Sequence, residues 1–95
     1  MDIKIQSLKF DASKQLIEFI EKKLSRLERC AENPTGCDVV LRRENDDEKG
    51  HIVALVTLHV PGGDILTEQK ARTFEEAIDE ALDVVKRQIE KRKDK

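Results

Sequence analysis

Two cysteines, two histidines and an acidic triplet hold most of the reactive chemistry available to this 95-residue chain. Cys30 and Cys37 lie apart without CxxC or Cys/His spacing, and His51 and His59 belong to a different stretch. Two isolated thiols do not complete a tetrahedral zinc site, and in a reducing compartment they are expected to be free. Asp46-Asp47-Glu48 lacks the glycine and the distal glutamate of a calcium loop and reads as a solvated hairpin tip. Pro61-Gly62-Gly63 is a hairpin turn, not the strand-to-helix junction that a phosphate loop requires. Ser7, Ser13 and Ser25 have no nucleophile-elbow context. His59 falls on the polar side of a strand with no partner in view, which suits a surface histidine better than a general base. The expectation is a protein that is not an enzyme and takes no metal, cofactor or small-molecule substrate.

Charge is the chemistry that remains. Charged residues make up 40% of the chain and aromatic ones 3%, and the net charge is −2. The distribution says more than the sum. Residues 86–95 carry Lys86, Arg87, Lys91, Arg92, Lys93 and Lys95 against Glu90 and Asp94, a local +4 that leaves −6 elsewhere. A second basic group, Lys22, Arg26 and Arg29, has the spacing of one column on a helix, with Lys23 on its flank nearer the core. Upstream of the basic end, Glu75, Glu76, Asp79, Glu80 and Asp83 are acidic. Acids early and bases late in a helix are an ordinary answer to the macrodipole. Here the basic run extends about two turns, further than the dipole effect reaches. If the two helices lie side by side, their bases merge into a patch suited to phosphates. With only Phe10, Phe19 and Phe74 to stack on bases, backbone or shape recognition of folded RNA is favoured over single-strand stacking.

The elements that must position these charges follow from periodicity. Residues 2–6 alternate as a short strand, with Ile3 and Ile5 on one side. Ser13 is a helix N-cap, and Leu16, Ile17, Ile20, Leu24 and Leu27 form a stripe over four to five turns, ended by Asn33-Pro34-Thr35-Gly36. Residues 37–44 read as a second strand, 44–50 as a solvated loop and 51–60 as a third strand. Ile52, Ala54, Val56, Leu58 and Val60 line one face of that strand. After the Pro-Gly-Gly turn, 64–71 is a more polar strand, and Thr73-Phe74-Glu75-Glu76 is a capping box. Phe74, Ala77, Ile78, Ala81, Leu82, Val85 and Ile89 then stripe the last helix. The order β-α-β-β-β-α predicts an α+β fold: a four-stranded mixed sheet, first two strands parallel through a right-handed crossover, both helices packed on one face. The other face is left to water or a partner. Residues 1–95 are expected to form a single domain. The longest apolar run, Ile52 to Val60, is broken by Thr57 and His59 and falls far short of the roughly 20 residues of a membrane span. With no apolar signal after Met1-Asp2-Ile3-Lys4, a cytoplasmic location is expected.

Leu58-His59-Val60-Pro61-Gly62-Gly63-Asp64-Ile65, the later Ala77-Ile78-Asp79 and the tail Lys86-Arg87-Gln88-Ile89-Glu90-Lys91-Arg92-Lys93 resemble one family. It is that of the ribosome hibernation promoting factors and ribosome-associated inhibitors, some described as modulators of an alternative sigma factor. Ile3-Lys4-Ile5 and Leu16, Phe19-Ile20, Lys23-Leu24 and Leu27-Glu28 look like its first strand and helix. The resemblance rests on order and spacing along nearly the whole chain. It implies a fold similar to a double-stranded-RNA-binding domain with an added strand. It also implies binding to the small ribosomal subunit in the channel used by messenger and transfer RNA, blocking translation in stress or stationary phase. The RNA-binding residues it implies are Lys22, Lys23, Arg26, Arg29, Lys86, Arg87, Lys91 and Arg92, with a monomer expected off the ribosome. Long members add a C-terminal domain that pairs ribosomes, and the inhibitor type adds a tail. A chain whose last residue is Lys95 is expected to follow the short hibernation-factor type. The rival is a protein-interaction regulator of the sigma-factor-modulating kind, acting without RNA through the open sheet face or the acidic helix surface.

Overall fold

Seven alternating residues form β1, Asp2–Leu8, which runs two residues past the expected end. In the computed structural model, residues 1–8, 10–44 and 51–93 are described, with side chains to Arg92. The acidic triplet at 46–48 and the last two residues therefore lie outside the described residues. Helix α1 spans Lys14–Glu28. The Ser13 hydroxyl accepts a hydrogen bond from the Leu16 N–H at 3.1 Å, so one unsatisfied N-terminal donor is met where the period changes. The helix closes on Arg29, short of the Asn33-Pro34 turn, where Asn33 takes a left-handed φ of 50°. Strands β2 (Gly36–Glu44), β3 (His51–His59) and β4 (Ile65–Ala71) follow, then α2, Phe74–Lys93. The Thr73 hydroxyl caps α2 by accepting from the Glu76 N–H at 3.1 Å.

The sheet order is β1-β2-β3-β4. β1 and β2 are parallel, as the crossover requires, and β3 pairs antiparallel with both β2 and β4. β1 and β4 therefore point the same way, and the helices that follow them start from the same end of the sheet. Phe10 and Phe74, just ahead of α1 and opening α2, stack there with centroids 4.8 Å apart, and Arg43 lies over both rings at 5.8 and 5.6 Å. Both helices cover one sheet face. Leu16, Ile20, Leu24 and Leu27 from α1 meet Ala77, Ile78, Ala81, Leu82, Val85 and Ile89 from α2 over Cys37, Val39, Leu41, Ala54, Val56 and Leu58. Hydrophobic burial along these two stripes sets the direction in which every helix cation points.

The opposite sheet face is less open than its pattern suggests. Val53 lies on it and is nonetheless fully buried, flanked in the ladder by Arg42 and Lys70. Arg42 pairs with Glu44 at 3.2 Å and Glu68 at 3.3 Å, and Lys70 with Glu44 at 3.0 Å. The Lys70 hydrogen bond, then that from Arg42, holds the Glu44 carboxyl below its usual pKa. The aliphatic stems of such charges cover apolar surface while their heads stay wet. The large apolar side chains exposed there are Leu66, at 64%, and Leu8, at 37%.

Candidate nucleic-acid interface

Two parallel helices on one sheet leave a seam between them, and the position of each base relative to that seam follows from its helix angle. Lys22, Arg26 and Arg29 are all exposed on α1, and among the described residues none of them forms a salt bridge. Lys23 is turned toward α2: its Nζ lies 3.2 Å from Asp79 Oδ1 and 5.4 Å from the Phe19 ring centroid. Below this pair the seam opens into a cleft of about 270 Å³, where Arg26 and Lys86 face each other's helix over Leu27 and Leu82. Asp79 and Asp83 stand on the same wall, nearer the start of α2. The seam is thus acidic in its upper half and basic in its lower half.

The expected single patch is gathered only in part. Arg87 is turned about 100° from Lys86 around α2 and Lys91 about 140°, and neither lines the cleft. Arg87 is held there by Asp83 at 2.9 Å, one helical turn back. Arg92 goes to the sheet, donating from Nη1 to the Gly63 carbonyl at 2.7 Å and from Nη2 to the Asp64 carbonyl at 3.4 Å. Lys23, Arg26 and Lys86 share the cleft, and Lys22 and Arg29 are exposed in the same i, i+4, i+7 column as Arg26. Arg87, Lys91 and Arg92 do not join them, because helical geometry rotates neighbours in sequence apart.

His59 differs from its expectation as a surface histidine without partners. Its Nε2 lies 2.9 Å from Asp38 Oδ2 and its Nδ1 3.0 Å from Asp64 Oδ2. The hydrogen bond with Asp38, then that with Asp64, raises its pKa above the ordinary histidine value, against the opposing effect of desolvation. A Cβ at Gly36 would crowd the Asp2 carbonyl at 3.2 Å and would rest in ordinary contact with His59 Cδ2 at 3.6 Å. The ring lies over a shallow depression of about 190 Å³ that is open to solvent. Both thiols are free; Cys37 is buried, which pushes its pKa up to about 12, with the Asp38 charge adding to the effect. It is no nucleophile at neutral pH. Among the described residues there is no cluster of three or more metal-ligating side chains, and no helix is long and apolar enough to cross a membrane.

This arrangement has known relatives. The profile of the family described as "Sigma 54 modulation protein / S30EA ribosomal protein" matches residues 3–95. The chain belongs to this family. Its relatives in the S30EA family include a ribosome hibernation promotion factor of Deinococcus radiodurans, 37% identical over 83 residues, covering 85% of this chain and 43% of that protein. The chain thus spans less than half the length of this relative. A ribosome hibernation promoting factor of Azotobacter vinelandii is 30% identical over 95 residues, all of this chain and 85% of that one. The crystal structure of the Thermus thermophilus Protein Y N-terminal domain superposes with a TM-score of 0.82 at 26% identity, covering 96% of this chain and 98% of that one. This chain shares its β-α-β-β-β-α architecture with that solved domain.

The Asp38–His59–Asp64 set was missed in the sequence because it needs the strand register. Gly36 pairs with His59 and Asp38 with Thr57, so Asp38 and His59 are diagonal neighbours across β2 and β3. Alternation alone puts both on the open face, and that signal was available.

Proposed function

We propose that this chain is a cytoplasmic factor that docks on the small ribosomal subunit near the decoding channel. It holds ribosomal RNA through cations of α1 and α2 and keeps idle ribosomes from translating in stress or stationary phase. The observation that supports this reading best is the parallel seam, where Lys23, Arg26 and Lys86 line one cleft, with Lys22 and Arg29 exposed in the column of Arg26. Lys91 and Arg92 extend the same field along the far half of α2, and Arg87, paired with Asp83, adds less. Asp79 and Asp83 make the upper seam unfavourable for phosphates, so the basic lower half leads and the molecule is oriented on a polyanion. Family membership and the relatives' names point the same way. No covalent chemistry, cofactor or small-molecule substrate enters, residues 1–95 act as one binding domain, and the free protein is a monomer.

Cosedimentation with purified small subunits tests this. With about four to six phosphates engaged, log K should fall against log salt with a slope of roughly −3 to −5. Reversing Lys86, Arg87 and Lys91 to Glu should remove the protein from the pellet while its circular dichroism stays unchanged. A triple variant that pellets normally would exclude α2 from the interface. The second reading, a protein-interaction regulator, is favoured by Leu66 standing exposed on the open sheet face. Partners of that kind would survive ribonuclease treatment in a pull-down, whereas ribosomal ones would be lost.

A further inference from the structure

A neutral imidazole has one N–H, yet both ring nitrogens of His59 lie at hydrogen-bond distance from a carboxylate, 2.9 Å to Asp38 and 3.0 Å to Asp64. Only the imidazolium donates to both. In the neutral form one carboxylate faces a ring lone pair, and that contact has to open. The two carboxylates are not equally free to leave. Asp38 lies within the β2–β3 ladder, and the end of β3 is tied down by Thr35, whose N–H donates to the His59 carbonyl at 2.9 Å. Asp64 belongs to the turn between β3 and β4. That turn is closed by Gly63 N–H donating to the Val60 carbonyl at 3.3 Å, with Gly62 and Gly63 at φ of 92° and 125°, angles open to glycine. The same turn supplies the two carbonyls, of Gly63 and Asp64, that hold the Arg92 guanidinium.

From this we infer that His59 is a positioning residue for Arg92, and that protonation of His59 sets where the basic end of α2 presents that charge. The imidazolium clamps Asp64 to β2 through Asp38, the clamped turn offers its carbonyls, and Arg92 is held at that turn with its charge intact, because carbonyls are neutral. Loss of the proton releases the Asp64 side, the turn relaxes, and Arg92 loses its fixed seat. The other charged groups around the ring are Asp2 and Lys4 of β1, which line the same depression as His59 and Asp38. The Lys4 ammonium weakens the clamp and the Asp2 carboxylate strengthens it. The consequence rests on the docking reading above: affinity for ribosomal RNA rises on mild acidification.

Two readouts on the full chain separate the clamp from that reading. In the first, an NMR titration follows the His59 ring and the Arg92 Nε–Hε resonance together. The Arg92 signal should move with the His59 midpoint in the wild type and stay still in His59→Gln, which keeps the fold without the switch. In the second, binding to purified small subunits is measured at fixed salt at about pH 6 and about pH 8. The wild type should weaken roughly three- to tenfold at the higher pH, while His59→Gln and Arg92→Gln should each show a flat, weak profile. An Arg92 resonance indifferent to His59 titration overturns the clamp. So does an Arg92→Gln variant that keeps the full pH dependence, since His59 would then act by its own charge. A coupled NMR titration with no subunit binding at either pH supports the clamp and removes the docking reading alone.

Discussion

The two helices carry similar numbers of bases in the sequence, yet the structure leaves them in different states. On α1, Lys23 is paired with Asp79, while Lys22, Arg26 and Arg29 point to solvent, and among the described residues none of these three has an ionic partner. On α2, Arg87 is paired with Asp83 and Arg92 is seated on carbonyls, while Lys86 and Lys91 are exposed. A carboxylate partner cancels most of a cation's field at a distance. A carbonyl partner orders the side chain and leaves the field in place. Arg87 and Arg92 are both held, but only Arg92 retains its full charge for a phosphate. The number of usable charges therefore differs from the number of bases, and α1 should contribute more than its count suggests.

The largest test of that comparison reverses the whole α1 column. Lys22, Arg26 and Arg29 changed together to Glu should weaken small-subunit binding by about a hundredfold or more in cosedimentation, with thermal stability nearly unchanged. If the Lys86, Arg87 and Lys91 reversal does more damage than this one, the ranking of the helices is inverted. Next in size is the support beneath the column. Leu24 is fully buried, and Leu24→Ala should cost about 2–5 kcal/mol in chemical denaturation. Lys22→Ala should stay within about 0.5 kcal/mol by the same measurement. Within α2 the split is finer: Lys86→Gln should reduce affinity roughly three- to fivefold, but Arg87→Gln by less than about twofold, since Asp83 already offsets it. Equal losses would mean that the Arg87–Asp83 pair opens on binding.

The smallest effect concerns stability against pH. His59 has a raised pKa in the folded state, so its contribution is fully present below the unfolded value of about 6.5 and is lost as pH rises through the higher folded value. The melting temperature of the wild type should decline slightly from about pH 6 to about pH 8.5, and that decline should be missing in His59→Gln. A flat wild-type profile would mean that the unfolded chain holds the proton as well as the folded one.

Much of this architecture was legible in residue order. The apolar spacing of Leu16, Ile20, Leu24 and Leu27, the caps Ser13 and Thr73, and the Pro61-Gly62-Gly63 turn specify the element order. Right-handed crossover then leaves little choice of topology, because each of these signals acts over a few residues and needs no distant partner. The candidate interface was legible as a set of bases and not as an arrangement. The i, i+4, i+7 column on α1 was readable because it lies within one helix. Whether Lys86 faces Arg26, whether Arg87 turns back to Asp83, and whether Arg92 leaves for Gly63 depend on how two helices are rotated over a shared sheet.

Local spacing and burial preference thus determined the elements, their order and the helix faces that must be hidden. Tertiary structure alone decided which cations share the seam, which are neutralised, and that His59 stands between Asp38 and Asp64. The physical reason is range. Hydrophobic periodicity is written along the chain, but a hydrogen bond or a close ion pair forms only when its atoms stand about 3 Å apart, and only packing brings residues distant in sequence that close.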